Sequence, residues 1–313
     1  MSGLNRQEIS KFVVTALGRV LLVETLGRVG KVLGEHGLTV EKSRTLSGLG
    51  GAPSRYECME FLAHGALRDA SGMRAAFLSL SDELAVDVAV QTEDEFRRER
   101  RLFVFDMDST LIQGETIDEL AKMAGVGDQV VAITAAAMRG ELQFQESFRR
   151  RVRLLKGLPE ARVLEAIDRL PLMEGAERLF RTLKARGAKT AIFSGGFTFF
   201  GAYLKEKLGV DYVFANHLDV QDGVVMGEVI GGIVDGARKA ELLIEIAGRE
   251  GIPLEQVVAV GDGANDLPML GLAGMGVAFH AKPVVRAAAR YAMTHVGLDG
   301  LLYLLGMPDR EWV

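Results

Sequence analysis

Short apolar runs alternate with helical segments from Leu102 onward, and this alternation constrains the fold more than any other feature of the 313-residue chain. Such runs are typical of strands that are buried on both faces of a parallel sheet. The helical segments between them indicate an α/β doubly wound fold. An Asp222-Gly223 pair between two alternating runs predicts a hairpin. The predicted strands are LFVFD, KTAIFS, YVFAN, VVAVGD and GMGVAF, and KPVVRAAARYA is predicted as a helix.

Two segments depart from this alternation. Residues 117–170 contain only helical patterns and directly follow the first strand, which indicates a helical cap inserted over the carboxyl edge of the sheet. The N-terminal residues show the order β-α-β-β-α-β, with a turn at Gly48, Gly50 and Gly51, and this order predicts a ferredoxin-like α+β domain. We therefore expect a first domain at residues 1–95 and a second at 96–313, with the cap at about 117–170.

Composition and charge exclude several classes of function. A net charge of −5 disfavours a nucleic-acid-binding surface. The basic run RRERR, Arg97–Arg101, is predicted to be a solvated linker. The single cysteine, Cys58, excludes an internal disulfide framework and a thiolate zinc cluster. The N-terminal residues have no apolar signal region, and no run of about 18 apolar residues occurs, so we expect no membrane span and a cytoplasmic location.

Polar residues gather where the predicted strands end, at the edge where open α/β sheets bind ligands. Clustered carboxylates repel one another unless a cation lies between them, and oxygen ligands favour Mg²⁺. We expect Asp106 and Asp262 to bind Mg²⁺, with Asp266 as a further candidate, and a phosphate group to complete the coordination. The strand ends read Asp106-Met107-Asp108-Ser109-Thr110, Ser194-Gly195-Gly196 and Gly261-Asp262-Gly263-Ala264-Asn265-Asp266.

These residue types suit phosphoryl transfer. The Ser194 hydroxyl and the N–H groups of the two following glycines can surround phosphate oxygens. A carboxylate can attack phosphorus to give an aspartyl-phosphate, and a second carboxyl two residues later can protonate the leaving oxygen. An alternative role for Asp108-Ser109-Thr110 is a helix N-cap. We expect Ser109 and Thr110 to cap the next helix and the two aspartates to perform the chemistry.

Four segments in this order resemble the haloacid dehalogenase superfamily of phosphotransferases: DMDST, FSGGF, Lys239 within DGARKAE, and GDGANDLPML. The resemblance implies that Asp106 is the nucleophile and Asp108 the general acid and base. It further implies that Ser194 and Gly195 bind phosphate, while Lys239 orients Asp106 and neutralises charge.

The same resemblance implies how the metal is held. Mg²⁺ would be bound by the side chains of Asp106 and Asp262 and by the backbone carbonyl of Asp108. Asp266 would support the metal without binding it directly.

A closer resemblance, over roughly residues 100 to 300, is to the phosphoserine phosphatase family. It is carried by DMDST, AMRGEL, SGGFTFF, VIGGIVDG, VGDGANDLPM and HAKP. The family pattern implies that Glu115 meets the substrate ammonium and that Arg151 meets its carboxylate. The run RRRVR leaves three alternatives open for the carboxylate: Arg149, Arg150 and Arg153.

Two further residues follow from this family pattern. Phe144 lies seven residues before Arg151 on the same predicted helix face and would cover the site when the cap closes. Asn265 would contact phosphate or hold Lys239.

The implied activity is Mg²⁺-dependent hydrolysis of O-phospho-L-serine to L-serine and phosphate, the last step of serine biosynthesis. Two alternatives remain: a phosphatase or phosphotransferase for another small phosphomonoester, and a serine-sensing or scaffold protein on an inactive core. The N-terminal residues resemble an ACT domain in strand order, which suggests a homodimer through that domain. Whether an amino acid binds there is left open.

Overall fold

The N-terminal part of the chain forms a four-stranded antiparallel sheet in the order β2-β3-β1-β4. A computed structural model describes residues 10–49 and 54–313, so Gly50 and Gly51 of the predicted turn lie outside the described residues. The strand order confirms the ferredoxin-like prediction. The elements are β1 (Ser10–Gly18), α1 (Val23–Glu35), β2 (Leu38–Thr45), β3 (Glu57–Gly65), α2 (Ala70–Leu84) and β4 (Val86–Thr92).

The two faces of this sheet bury different partners because side chains alternate along each strand. Val14 and Ala16 of β1 pack with residues of α1 and α2 in a core of their own. Leu17 of β1 and Cys58 of β3 join the main core of the rest of the protein. The N-terminal sheet is therefore covered by its helices on one face and packed on the remainder of the chain with the other.

The second sheet has seven strands in the order β11-β10-β9-β5-β6-β7-β8. All neighbouring pairs are parallel except the hairpin β7–β8, whose turn residues Asp222 and Gly223 have positive φ angles, as the sequence predicts. The strands are β5 (Leu102–Phe105), β6 (Lys189–Phe197), β7 (Tyr212–Gln221), β8 (Val224–Ile230), β9 (Val257–Gly261), β10 (Met275–Phe279) and β11 (Tyr291–Met293).

Helices cover both faces of this sheet. Phe103 and Phe105 of β5 point to one core, and Leu102 and Val104 point to the other, which explains why the run is apolar throughout. This arrangement confirms the predicted α/β fold class. The helices are α3 (Thr116–Met123), α4 (Gly127–Met138), α5 (Phe144–Arg153), α6 (Glu160–Glu165), α7 (Ala176–Ala185), α8 (Thr198–Leu208), α9 (Gly236–Glu250), α10 (Leu267–Leu272), α11 (Pro283–Ala288) and α12 (Gly300–Leu304).

Two sequence predictions are wrong in detail. The helix predicted over KPVVRAAARYA ends at Ala288, because Tyr291 and the next two residues pair with β10 as strand β11. The run Arg97–Arg101 is not simply a solvated linker. Arg97 is only 6% exposed. Its guanidinium lies between the N-terminal sheet and α12, where it donates to Glu60 and to the Leu304 carbonyl.

Within residues 10–49 and 54–313, none of the helices combines the length and the apolar character needed to cross a lipid bilayer.

Candidate active site

The carboxyl ends of β5, β6 and β9 meet at one edge of the large sheet. Phe105 lies in register with Ile192 of β6 and with Val260 of β9. Asp106 follows β5 directly, and its N–H donates to the Val260 carbonyl at 2.9 Å. Three sequence motifs that are far apart in the chain therefore reach the same place.

Lys239 joins two of these motifs. Its Nζ lies 2.8 Å from Asp106 Oδ1 and 2.6 Å from Asp266 Oδ1, and its side chain is fully buried. Burial alone would lower the pKa of Lys239, but Asp106 and Asp266 raise that pKa above its ordinary value. Asp235 fixes the start of α9 by accepting from the Arg238 N–H at 3.0 Å. The helix thereby holds a charged ammonium group against the predicted nucleophile.

Three carboxylates form a cluster that fits a divalent cation. One oxygen from each of Asp106, Asp262 and Asp266 lies within 4.8 Å of the other two. Burial and the neighbouring Asp266 raise the pKa of Asp106 well above its usual range. Burial, Asp266 and Glu115 raise the pKa of Asp262 to about 7. Packed acids of this kind resist ionisation, and a hard cation with oxygen ligands would relieve the repulsion.

Asp266 differs from the other two acids because bonds engage both of its oxygens, whereas the bonds to Asp106 and Asp262 lie on Oδ1. Its Oδ1 accepts from Lys239, and its Oδ2 accepts from the Gly263 N–H at 2.9 Å. Because both oxygens are already engaged, the geometry favours Asp266 as a support for the cluster, as the family pattern implies.

Asp108 occupies a different environment from Asp106. Its Oδ1 accepts from the Thr116 N–H at 2.9 Å and its Oδ2 from the Thr116 hydroxyl at 3.3 Å. Burial and the charge of Glu115 raise the pKa of Asp108 to about 8. A carboxyl group with such a pKa carries its proton at neutral pH and can act as an acid.

The predicted capping role of Ser109 and Thr110 is wrong. Helix α3 begins six residues after Thr110, at Thr116, and its first N–H is bound by the Asp108 carboxylate. Ser109 has a positive φ of 55° and donates to Glu115 Oε1 at 2.8 Å. Thr110 donates to Asp262 Oδ1 at 3.2 Å. The tight turn after β5 directs the Ser109 and Thr110 hydroxyls toward the Glu115 and Asp262 carboxylates, so neither hydroxyl caps α3.

Ser194 lies within β6 at the same edge, directly after Phe193, where the regular pairing with β7 is interrupted. Its buried hydroxyl accepts from the Gly196 N–H at 2.8 Å. A side chain at Gly196 would collide with Asp108 and Thr116, since a Cβ there would lie 2.5 Å from Asp108 Oδ2. The close approach of the two motifs requires glycine at this position.

The helical segment between β5 and β6 covers this edge. The Phe144 ring of α5 lies over Gly195, where its Cζ would be 3.4 Å from an added Cβ. Gln145 donates to Asp235 Oδ2 at 2.7 Å and so links α5 to the start of α9. Phe144 is 37% exposed, as expected for a residue at the mouth of a site.

Arg151 faces the site acids. Burial lowers its pKa, whereas the nearby charges of Asp118, Glu115 and Asp108 act in the opposite direction. Its buried Nε has no hydrogen-bond partner in the described part of the chain. The three alternatives from the same run, Arg149, Arg150 and Arg153, are exposed. The structure therefore favours Arg151 as the arginine that faces a ligand, and the assignment stays a prediction.

Sequence reasoning missed two residues that position this site. Asn216 of β7 is buried, donates to the Gly195 carbonyl at 2.8 Å and accepts from the Val234 N–H at 2.9 Å. Its place at the end of the predicted strand YVFAN was a usable signal. Thr116 carried no such signal, because a threonine in a first helical turn is common. Asn265, which was predicted, lies beside Gly263, where an added Cβ would collide with its Oδ1.

Comparisons with known proteins agree with this geometry. Residues 100–274 match the family model of the haloacid dehalogenase-like hydrolases. The chain is 49% identical over 251 residues to a phosphoserine phosphatase from Archaeoglobus fulgidus, covering 80% of this chain and 73% of that one. It is 37% identical to the phosphoserine phosphatase of Saccharomyces cerevisiae, covering 97% and 98%.

A solved structure described as a phospho-aspartyl intermediate analogue of phosphoserine phosphatase has 48% sequence identity to the chain and a TM-score of 0.62. The match covers 65% of this chain and 98% of that one. The chain therefore belongs to the haloacid dehalogenase-like hydrolases and, within them, to the phosphoserine phosphatase family.

Proposed function

We propose that the protein hydrolyses O-phospho-L-serine to L-serine and phosphate, with Mg²⁺ as cofactor and an aspartyl-phosphate on Asp106 as intermediate. The observation that carries the proposal is the position of Arg151. Its Nε has no hydrogen-bond partner among the described residues, and its charge lies near the acids of the site that contains Asp106 and Lys239. The relatives named phosphoserine phosphatase support the same substrate.

In the first step Asp106 attacks phosphorus. Lys239 and the Met107 N–H both bind Oδ1, so we assign the attack to Oδ2. Asp108 donates its proton to the seryl oxygen as the bond between phosphorus and that oxygen breaks. L-serine then leaves, and the phosphoryl group remains on Asp106.

In the second step Asp108, now a carboxylate, takes a proton from water. The water oxygen attacks phosphorus, the bond to Asp106 breaks, and phosphate is released. The Ser194 hydroxyl and the Gly195 N–H hold phosphate oxygens during both steps, and Lys239 stabilises the charge that gathers on them.

The residues present fit a magnesium ion. Asp106 and Asp262 would hold it together with the Asp108 backbone carbonyl, while Asp266 supports the cluster through Lys239 and Gly263. When bound, Mg²⁺ would neutralise charge on the phosphate oxygens.

Substrate selection would come from the helical segment above the site. Arg151 would pair with the substrate carboxylate and Glu115 with its ammonium, while Phe144 covers Gly195, which would bind phosphate. Asn265 would contact phosphate or hold Lys239. Analogues that lack either charged group would leave Arg151 or Glu115 unpaired and would be rejected.

The test is phosphate release from a matched panel with Mg²⁺ and with EDTA. O-phospho-L-serine is compared with phosphoethanolamine, which lacks the carboxylate, and with 3-phosphooxypropionate, which lacks the ammonium. We expect kcat/KM to fall by roughly 10²-fold or more for each analogue, and EDTA to abolish turnover until Mg²⁺ is restored. Equal turnover of the three esters would refute the assignment of O-phospho-L-serine as substrate. Full activity in EDTA would refute the requirement for Mg²⁺.

A separate variant tests the nucleophile. Asp106→Asn removes the attacking carboxylate and should reduce phosphate release by roughly 10⁴-fold or more. Asp168→Asn, at an exposed position in the helical segment, is the matched control and should leave the rate unchanged. A fully active Asp106→Asn protein would exclude the aspartyl-phosphate.

Two proposals concern organisation. We place the domain boundary near residue 95 and the cap at about 117–170, supported by the strand that ends at Thr92 and the helices between Thr116 and Arg169. A homodimer through the N-terminal domain and a cytoplasmic location stay predictions.

A further inference from the structure

The three residues Ser194–Gly196, here called the β6 bulge, stand outside the regular ladder between β6 and β7. The paired residues on either side of the bulge are Phe193 with Phe214 and Phe197 with Asn216. Three residues of β6 therefore lie opposite a single residue of β7. A bulge of this size leaves backbone groups without ladder partners, and two consecutive glycines provide no side chain to fix them. The bulge therefore depends on contacts from outside the ladder.

Asn216 supplies such a contact from β7. The residue is only 1% exposed. Its Nδ2 donates to the Gly195 carbonyl at 2.8 Å, and its Oδ1 accepts from the Val234 N–H at 2.9 Å. Because a carbonyl only accepts and an N–H only donates, these two partners fix the orientation of the amide. One buried side chain thereby joins two backbone segments that lie far apart in the chain.

The bond to Gly195 acts on the Ser194 hydroxyl through one peptide unit. The Gly195 carbonyl and the Gly196 N–H belong to the same planar unit and point in opposite directions. Holding the carbonyl therefore also fixes the Gly196 N–H, which donates to Ser194 Oγ at 2.8 Å. A hydroxyl oxygen that accepts this bond keeps its own hydrogen for another acceptor. The Ser194 O–H is thus directed to donate to a phosphate oxygen.

The bond to Val234 acts on the lysine of the site. Val234 directly precedes Asp235, which caps α9, and Lys239 lies in the first turn of that helix. The Val234 carbonyl also approaches the β6 bulge, since it would lie 3.6 Å from a Cβ added at Gly195. Asn216 therefore fixes the β6 bulge against the segment that places Lys239 beside the nucleophile.

We propose that Asn216 is a positioning residue for phosphate binding. It holds the Gly195–Gly196 peptide against the start of α9, so that Ser194 and Lys239 meet one phosphoryl group in a fixed geometry. Its loss should weaken the binding of every phosphate ligand by a similar factor and leave selection for the rest of the substrate unchanged. The inference rests on the proposed role of Ser194 and Gly195 in holding phosphate.

The experiment compares wild type with Asn216→Leu, which keeps a similar volume and removes both hydrogen bonds. The inhibition constant of inorganic phosphate is measured with Mg²⁺ present, against whichever of the three esters named above the wild type hydrolyses fastest. We expect this constant to rise by about tenfold or more, because a buried carbonyl and a buried N–H lose their partners. The values of kcat/KM for all three esters should fall by a similar factor.

Two further variants support this comparison. Asn216→Ala removes the same bonds without adding a branched side chain, and it carries the test if Asn216→Leu does not fold. His217→Ala, at the neighbouring exposed position of β7, is the matched control and should leave the inhibition constant within about twofold of wild type. Urea denaturation gives the stability of each variant, and the kinetics are measured at a temperature where all of them are folded.

Two outcomes would overturn the inference. An Asn216 variant that loses stability but binds inorganic phosphate as wild type does would show that the residue only stabilises the sheet. A much larger fall in kcat/KM for O-phospho-L-serine than for phosphoethanolamine would instead place Asn216 in selection of the substrate body. Equal turnover of the three esters by wild type would contradict the proposed substrate alone, since inhibition by inorganic phosphate can still be measured.

Discussion

The two arginine-rich runs of this protein, Arg97–Arg101 and Arg149–Arg153, have similar composition and opposite uses. At the domain junction Arg97 is buried and bonded to Glu60, the Leu304 carbonyl and Thr15. In the helical segment above the site, Arg151 is half-buried, and no described residue accepts a hydrogen bond from its Nε. A buried arginine whose guanidinium is hydrogen-bonded to the protein stabilises the fold. An arginine that has an unpaired donor beside a reactive cluster is instead available to bind a ligand.

The largest effect should come from Arg151. Replacing it in Arg151→Ala should lower kcat/KM for O-phospho-L-serine by roughly 10²- to 10³-fold, because the substrate carboxylate loses its charged partner. The free energy of unfolding should change by less than about 0.5 kcal/mol, since little bonding is lost in the free protein. Steady-state kinetics and urea denaturation measure the two quantities.

Arg153→Ala, at an exposed position of the same helix, is the matched control for Arg151. Arg153→Ala should change neither kcat/KM nor the free energy of unfolding appreciably. A large loss of stability in Arg151→Ala with normal kinetics would show that Arg151, like Arg97, stabilises the fold and does not bind the substrate.

The second effect concerns the junction. Arg97→Met breaks an ion pair of 2.6 Å with Glu60 and should reduce the free energy of unfolding by about 3 to 5 kcal/mol. At a temperature where the variant is folded, kcat should stay within twofold, because Arg97 contacts none of the site acids. Arg98→Met, which breaks a more exposed pair with Glu311, is the control and should cost under about 1 kcal/mol. A raised KM with normal stability would contradict the structural role of Arg97.

A third prediction uses a second buried charge at the same junction. Asp87 is 3% exposed and accepts from the N–H groups of Thr294 and His295. Burial raises the pKa of Asp87 from 3.8 to about 6. The folded protein therefore holds this proton more tightly than the unfolded chain. The protonated Asp87 therefore contributes about 3 kcal/mol to the free energy of unfolding. This contribution is fully present below about pH 4 and is lost as pH rises through 6.

The Asp87 prediction is checked by comparing wild type with Asp87→Asn in urea at several pH values between 4 and 7. The difference in unfolding free energy, wild type minus variant, should fall by about 2 to 3 kcal/mol over that range. The same comparison with the exposed Asp168→Asn corrects for effects common to the whole protein. A difference that does not vary with pH would show that Asp87 does not titrate in this window.

The smallest effect should come from Arg150. Its pair with Glu146, at 2.6 Å, joins two half-exposed side chains one helical turn apart. Arg150→Ala should therefore change the unfolding free energy by under about 0.5 kcal/mol and KM by less than twofold. A tenfold rise in KM would transfer the carboxylate-binding role from Arg151 to Arg150.

Much of the fold could be predicted because local pattern and long-range structure agree here. The runs around Phe105 and Val260 are apolar throughout because both faces of the central strands are buried. The Asp222-Gly223 turn is read directly from residue types that accept positive φ. The end of α11 was missed because alanine-rich Ala287–Ala289 favours helix locally, while pairing of Tyr291 with β10 overrides that preference.

The sequence by itself determined the α/β core, the ferredoxin-like order, and the three polar strand ends that meet at one sheet edge, because periodicity and strand ends are local properties. Only the tertiary structure decided that Arg97 is buried while Arg151 faces the site acids. It also decided that Thr116 and Asn216 position the site. These features depend on contacts between residues far apart in the chain, and neither composition nor spacing records which side chains meet after folding.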